Sequence, residues 1–132
     1  MKYCMAKLID SSVWIALFLE QDTQHAKAKR FFATVSGKIY LPTLVLGEVA
    51  SVLTYKHSKA QADMFVRFVV DYPELEWVES QAYDDAAYFL TIPARLSFID
   101  LSLLRLARVL KAELITYDAQ LARLYRKTLR RS

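Results

Sequence analysis

The sequence predicts an α/β protein, a three-layer α/β/α sandwich built around a short, mainly parallel sheet. Short apolar runs alternate with longer segments whose apolar residues recur at helical spacing. The first apolar run ends at Asp10, two serines follow, and a helical pattern begins. A similar combination returns near the other end of the chain, where an apolar run is followed by the hydroxyl of Thr116, the acid Asp118 and a helical pattern. Strands that alternate with helices pair in parallel, because a helix returns the chain between them.

The length and composition predict one globular domain that spans residues 1–132. Apolar residues make up 55% and charged residues 24% of the chain, a composition that excludes a disordered protein. The single cysteine, Cys4, is expected in the core and indicates a reducing, cytoplasmic setting. No apolar run approaches the roughly 18 residues of a membrane span, and Asp10 interrupts the only segment that resembles a signal sequence.

The charge balance favours anionic partners only mildly. The 18 Lys and Arg against 14 Asp and Glu give a net charge of +4, with a pI near 9.2. Only Gly37 and Gly47 are present, so the chain lacks a glycine-rich phosphate loop and a nucleotide cofactor is not expected.

Four strands are predicted from short apolar runs bounded by turn residues or by acids. They cover residues 3–9, 38–41, 77–78 and 114–116.

Seven helices are predicted from apolar spacing and from residues that start or stop helices. Thr23 and Thr43 are expected to cap the second and third helices, and Pro73 and Pro93 to follow helix ends. The connection over residues 92–97 has no assigned structure. The helices cover residues 12–19, 23–35, 43–57, 58–71, 80–90, 99–110 and 118–129.

Glu48 lies in the third predicted helix, on a face that is otherwise largely apolar. At 100° per residue this face also includes residues 44, 45, 51, 52 and 55. An ionised carboxylate buried there without a partner would cost several kcal/mol. The glutamate is therefore expected to be protonated, to bind a metal, or to pair with a base such as Lys56 or an arginine, and for a single buried Glu the base is the default.

Three aspartates begin helices, so each has a structural explanation of its own. Asp10, Asp100 and Asp118 suit helix caps or first turns, and Ser97 with Asp100 fits a capping box. Together with Glu48, however, they form a set of acids without matched bases. Converging carboxylates repel one another, and a hard divalent cation relieves that repulsion. The set predicts a Mg²⁺ or Mn²⁺ site.

These motifs resemble those of PIN-domain ribonucleases, in particular the VapC-type toxins of prokaryotic toxin-antitoxin pairs, over nearly all 132 residues. Residues 8–13, Leu-Ile-Asp-Ser-Ser-Val, resemble the opening strand and acid of that family. Glu48 resembles its helical glutamate, and Asp100 and Asp118 its third and fourth acids. The chain differs in having Lys111-Ala112 where the family often has a glycine, and Leu121 where it often has an aromatic residue.

The resemblance implies an enzyme that hydrolyses RNA phosphodiester bonds and leaves a 5′-phosphate and a 3′-hydroxyl. One or two Mg²⁺ ions would be held by Asp10 and Asp100, with Glu48 and Asp118 binding directly or through water. Hydroxyl side chains near these acids are expected to orient them. They are Ser11, Ser12 and Thr116.

Cations are expected around so acidic a site, because Lys and Arg supply most of the non-specific affinity for phosphates. Arg95 lies near the predicted site, and a basic cluster follows in the last helix, although a solvated helix end explains that cluster equally well. The cluster consists of Arg123, Arg126, Lys127, Arg130 and Arg131. The resemblance also implies a homodimer and a cognate antitoxin.

Four alternatives remain open at this point. A haloacid-dehalogenase-type phosphatase would need a second Asp where the chain has Ser12. A receiver domain would have a lysine after its last strand, where the chain has Asp118. A PIN domain could also act in RNA processing without being a toxin, or serve only to bind proteins, although the latter would not need all four acids.

Overall fold

The structure is a computed structural model that describes residues 5–131. Within that range the chain forms four strands and seven helices, as predicted. In chain order they are β1 (Lys7–Ile9), α1 (Ser11–Phe18), α2 (His25–Thr34), β2 (Ile39–Pro42), α3 (Thr43–Lys56), α4 (Lys59–Asp71), β3 (Leu75–Val78), α5 (Ala82–Phe89), α6 (Phe98–Leu110), β4 (Glu113–Ile115) and α7 (Ala119–Arg130). Cys4 and the start of the first predicted strand lie outside the described residues.

All four strands are parallel, in the order β3-β2-β1-β4. The chain moves from β1 to β2 to β3 in one direction and then returns across the sheet to β4. Since crossovers between parallel strands are right-handed, this reversal puts the last connection on the opposite face of the sheet. Accordingly, α1 to α4 pack with one another, whereas α5 packs on α6 and α6 on α7. The predicted three-layer sandwich is confirmed.

The core between the sheet and the first helix group is rich in aromatic side chains. Trp14 is fully buried, and its ring lies 4.9 Å from that of Phe32 and 5.6 Å from that of Phe65. Phe18 and Phe68 complete this cluster, which joins α1, α2 and α4. Aromatic packing therefore fixes α1 where it leaves the sheet, immediately after Asp10.

One predicted helix start and both predicted threonine caps are wrong. The second helix begins at His25 rather than near Thr23, and Asp22 instead accepts a hydrogen bond from the Gln24 N–H at 2.8 Å. Thr43 is inside the third helix, and its hydroxyl donates to the Val78 carbonyl at 3.1 Å. Neither threonine hydroxyl caps its helix. Asp22 bonds to the backbone just before α2, and the Thr43 hydroxyl bonds to β3. The spacing of residues in the sequence does not reveal these partners.

No helix within residues 5–131 is both long and apolar enough to span a membrane.

Candidate active site

The acidic residues of interest lie at the carboxyl edge of the sheet, beside β1 and its neighbour β4, which is the last strand on that side. Ile9 of β1 pairs with Ile115 of β4, so Asp10 and Thr116 leave the sheet side by side. The chain leaves β1 toward β2 on one side, whereas β4, on the other side of β1, is reached by the connection from β3. This is the topological switch point, where a crevice opens in parallel α/β sheets. Asp10 and Asp118 therefore flank the expected ligand position.

Asp10 is 4% exposed and its carboxylate is surrounded by donors. Oδ1 accepts from the Ser11 N–H at 2.7 Å. Oδ2 accepts from the hydroxyls of Ser12 at 2.9 Å and Thr116 at 2.7 Å. Hydrogen bonds to the ionised form stabilise a buried charge. Asp10 thus caps α1, as one alternative predicted, and is also held rigidly at the sheet edge.

The two predicted orienting residues Ser12 and Thr116 contact the acid through their hydroxyls, whereas Ser11 contacts it through its backbone. Within the described part of the chain, the buried Ser11 hydroxyl has no hydrogen-bond partner. Ser12 also accepts from the Tyr117 N–H at 3.2 Å. Because Ser12 joins both α1 and the loop after β4, it ties the two aspartate-bearing segments together.

Asp118 begins α7 and caps it, with Oδ1 accepting from the Leu121 N–H at 2.9 Å. Its own N–H donates to the Thr116 hydroxyl at 3.0 Å. The Thr116 hydroxyl therefore accepts from Asp118 and donates to Asp10, so a single side chain connects the two acids. Asp118 is exposed, which leaves its other carboxylate oxygen open to solvent.

Asp100 approaches from the first turn of α6, where its N–H donates to the Ser97 hydroxyl at 3.1 Å. Burial raises the pKa of its carboxyl above the ordinary value, and the charges of Asp10 and Asp118 raise it further. Hydrogen bonds from Ser97 act in the opposite direction. The capping box is present, and Asp100 lies close enough to Asp10 and Asp118 for their charges to act on it.

The face of α3 that carries Glu48 is not the buried face that the sequence predicts. The buried residues of α3 are Val45, Val49 and Leu53. Glu48 is half-buried, and Tyr55 on its expected apolar face is 87% exposed. The helix is apolar nearly all round, so its sequence does not single out one face, and packing against α4 and α1 selects another.

No lysine or arginine of residues 5–131 pairs with Glu48. The predicted alternative of a basic partner such as Lys56 is therefore not found there. Glu48 is also absent from the charges that raise the pKa of Asp100. The structure thus groups Asp10, Asp100 and Asp118, while a role for Glu48 in the same site stays a prediction.

In the described range, no three His, Cys, Asp or Glu side chains are arranged to hold one metal ion together. The donors present are nevertheless hard carboxylate oxygens, and no lysine or arginine among residues 5–131 forms an ion pair with them. Mg²⁺ typically keeps several waters and binds one or two carboxylates plus substrate phosphates. The aspartates at this edge fit such a partly hydrated ion.

The predicted RNA-binding cations are exposed and dispersed. Arg95 lies in the loop before α6, and Arg123 and Arg126 lie on α7. Lys127 lines a cavity with Arg108 of α6 and residues 91–94 of the loop between α5 and α6. It follows Asp118 by nine residues, about 13 Å along the helix, so its contact with a substrate at the acids stays a prediction.

Two features were not predicted from the sequence. Asp85, which is 3% exposed, accepts from Arg105 Nε at 2.8 Å and from the Ser102 hydroxyl at 2.7 Å, joining α5 to α6. Arg105, which stands among the apolar residues of the sixth helix, could have indicated this ion pair, because a buried base requires an acidic partner. The second is Lys27 of α2, whose Nζ lies 5.1 Å from the centroid of the Tyr117 ring.

His25 lies at the start of α2. It is half-buried, and its Nδ1 lies 2.7 Å from the Ala16 carbonyl oxygen. This contact joins α2 to α1.

The fold is similar to that of VapC toxins. VapC20 of Mycobacterium tuberculosis, described as a sarcin-ricin loop cleaving toxin, superposes with a TM-score of 0.80 at 20% identity, covering 89% of this chain and 94% of that one. VapBC2 of Rickettsia felis, solved bound to a DNA fragment from its promoter, gives a TM-score of 0.66 at 14% identity, covering 90% and 92%. No curated protein matches the chain.

The sequence itself supplies the classification. The model of the PIN domain family matches residues 7–127, from the first residue of β1 into the last turns of α7. The match includes each of the four acids and the loop that joins β4 to α7. The chain therefore belongs to the PIN domain family.

Proposed function

We propose that this PIN domain is a Mg²⁺- or Mn²⁺-dependent endoribonuclease and the toxin of a toxin-antitoxin pair. The observation that carries the proposal is the group of three aspartates at the switch point of the sheet. Asp10 is buried and held by three hydrogen bonds, and Asp100 is influenced by the charges of Asp10 and Asp118. Within residues 5–131, none of the three forms an ion pair.

Asp10 and Asp100 would hold the ion, with Asp118 and Glu48 acting directly or through water. When bound, a divalent cation supplies an acidified water and stabilises charge on the phosphate. In the hydrolysis, a bond would form between a water oxygen and phosphorus while the bond from phosphorus to the 3′-oxygen breaks. The attacking water would release a proton to solvent and the leaving 3′-oxygen would take one up, which leaves a 5′-phosphate and a 3′-hydroxyl. Thr116 and Ser12 would keep the Asp10 carboxylate oriented throughout, because their hydroxyls donate to Oδ2.

The similarity to the VapBC2 complex supports the proposal of an antitoxin partner. A homodimer is proposed because the resemblance to VapC-type toxins implies one. The surface offers apolar side chains for protein contacts, among them Val70, which is 62% exposed, and Leu90, which is 85% exposed. An RNA target and a single cysteine fit a cytoplasmic setting.

The proposal is tested with purified protein and its Asp10→Asn variant, each incubated with RNA in Mg²⁺, Mn²⁺ or EDTA. We expect cleavage by the unmodified protein in either metal, none in EDTA, and none by Asp10→Asn in any condition. Asp71→Asn is the matched control, because Asp71 is an exposed aspartate at the end of α4. It should cleave normally.

Equal cleavage by Asp10→Asn would contradict the proposal, because the activity would then come from another source. Circular dichroism shows whether both variants remain folded. Induced expression separates a toxin from an RNA-processing enzyme: a toxin halts growth, and Asp10→Asn does not.

A further inference from the structure

A basic face of α2, formed by Lys27 and Arg30, lies against the loop that carries Asp118. Lys27 Nζ lies 5.1 Å from the centroid of the Tyr117 ring. Arg30 is three residues further along the helix and so shares that face. It is also close enough for its charge to act on the Tyr117 hydroxyl. Two cations from α2 therefore adjoin the segment between β4 and α7.

Tyr117 is connected directly to the acids. Its N–H donates to the Ser12 hydroxyl at 3.2 Å, and that hydroxyl donates to Asp10 Oδ2 at 2.9 Å. The residue on either side of Tyr117 also belongs to the site, because Thr116 bonds to Asp10 and Asp118 caps α7. The ring under Lys27 is thus fixed relative to the aspartates, and so is the adjacent part of α2.

The two cations of this face form no salt bridge within residues 5–131. Lys27 and Arg30 are both exposed. The nearby carboxylate, Asp22, also acts on Tyr117, but one of its oxygens accepts from the Gln24 N–H at 2.8 Å. The two cations remain available to an anion that approaches the acids from the α2 side.

An anionic polymer needs such cations here, because three aspartates at the sheet edge repel its phosphates. We propose that Lys27 and Arg30 bind backbone phosphates of the RNA beside the cleaved bond, with the Tyr117 ring holding Lys27 in place. This inference rests on the proposed ribonuclease function. It makes Lys27 and Arg30 substrate-binding residues, and Tyr117 a positioning residue.

The basic face of α2 differs from the basic end of α7 in what connects it to the site. Lys127 shares its cavity with Arg108 and with residues 91–94 of the loop between α5 and α6. Lys27 instead touches a residue whose backbone is bonded to Ser12. We therefore expect the α2 cations to contribute more to binding next to the acids.

The test measures binding separately from cleavage. All proteins contain Asp100→Asn, which is intended to prevent cleavage and leaves the bonds among Asp10, Ser12 and Tyr117 in place. A fluorescent, mixed-sequence, single-stranded RNA is titrated in Mg²⁺ at several KCl concentrations, and a gel shows that it stays intact. Lys27→Ala/Arg30→Ala is compared with Lys29→Ala, which removes an exposed cation from another face of the same helix.

We expect the double variant to bind about 10-fold more weakly at low salt. The slope of log K against log salt should become shallower by about 1.4, or about 0.7 for each lost phosphate contact on a single strand. Lys29→Ala should change neither value, and Lys27→Arg/Arg30→Lys should restore most of the slope. A purely structural role would lower the melting temperature and leave the salt slope unchanged.

Equal affinity and slope for the double variant and Lys29→Ala would overturn the inference. If the otherwise unmodified protein still cleaves RNA in a metal-dependent manner, the proposed function survives that result. If no variant binds RNA and the unmodified protein does not cleave it, both proposals fail together.

Discussion

The Thr116 hydroxyl donates a 2.7 Å hydrogen bond to Oδ2 of Asp10, across a separation of 106 residues in the chain. The same hydroxyl accepts from the Asp118 N–H at 3.0 Å. One oxygen atom therefore connects the acid that follows β1 to the acid that follows β4. This relationship exists because the two strands are neighbours in the sheet and in register.

Thr116→Val removes this hydroxyl while keeping the shape of the side chain. We expect cleavage or metal affinity to fall about 10–100-fold, the usual effect of removing a group that orients a ligand. Stability should fall by about 1–3 kcal/mol, because the buried Asp10 loses a donor. RNA cleavage and urea unfolding measure the two effects.

Thr54→Val is the matched control, since that hydroxyl bonds only within α3, to the Ala50 carbonyl. It should leave cleavage unchanged, and Thr116→Ser should retain most of the activity. Full activity in Thr116→Val would show that the hydroxyl does not serve the site.

Asp100→Asn should stabilise the metal-free protein. Because the pKa of Asp100 is raised, the folded state binds more protons than the unfolded state between the ordinary and the raised pKa. The free energy of unfolding therefore falls as the pH rises through that window. The contribution of the protonated Asp100 carboxyl is complete only below the window. Above the window the variant should be more stable by about 0.5–1 kcal/mol.

Thermal unfolding against pH, in EDTA and in Mg²⁺, measures this effect. Mg²⁺ should raise the melting temperature of the unmodified protein more than that of Asp100→Asn. Asp84→Asn is the control, because Asp84 is an exposed acid in the first turn of α5. A pH profile identical to that of the unmodified protein would contradict the prediction.

Glu48→Gln tests a site residue that the aspartate group does not include. The side chain is half-buried without an ion pair in the described range, so metal-free stability should change by no more than about 0.5 kcal/mol. If Glu48 binds the ion directly or through water, cleavage should fall by about 10-fold or more. Glu74→Gln, which alters an exposed acid, should have no effect, and unchanged cleavage by Glu48→Gln would remove it from the site.

Arg105→Met should destabilise the protein by about 3–5 kcal/mol, because it leaves the buried Asp85 carboxylate without its base. Asp85→Leu/Arg105→Met removes both charges and should recover much of this loss. Arg108→Met, at an exposed position of the same helix, should change little. Urea unfolding of these variants and of Asp85→Leu alone gives the coupling energy between the two side chains, and a value near zero would contradict a buried ion pair.

Lys111→Gly should stabilise the protein by about 0.5–1 kcal/mol. Lys111 ends α6 with φ at 54°, in the left-handed region that is unfavourable for any residue with a Cβ. Thermal unfolding measures the change, and Lys111→Ala, which keeps the Cβ, should give no gain.

The sequence determined the type and order of the elements, because apolar spacing and turn residues are local properties. It also determined that Asp10 and Asp118 would share an edge, since parallel strands end on the same side. Of its alternatives, the phosphatase and the receiver domain are excluded by the PIN domain assignment. The capping role of each aspartate was equally visible, because a cap depends on neighbouring residues.

Contacts between distant segments were decided only by the tertiary structure. The buried face of α3 could not be predicted because the helix is apolar nearly all round, and packing selected Val45, Val49 and Leu53 over the face of Glu48. The pairing of Asp85 with Arg105, and of Lys27 with Tyr117, likewise depends on which helices meet. The periodicity of apolar residues predicts which side of a helix or strand is apolar. Which other helix or strand packs against that side depends on the whole fold.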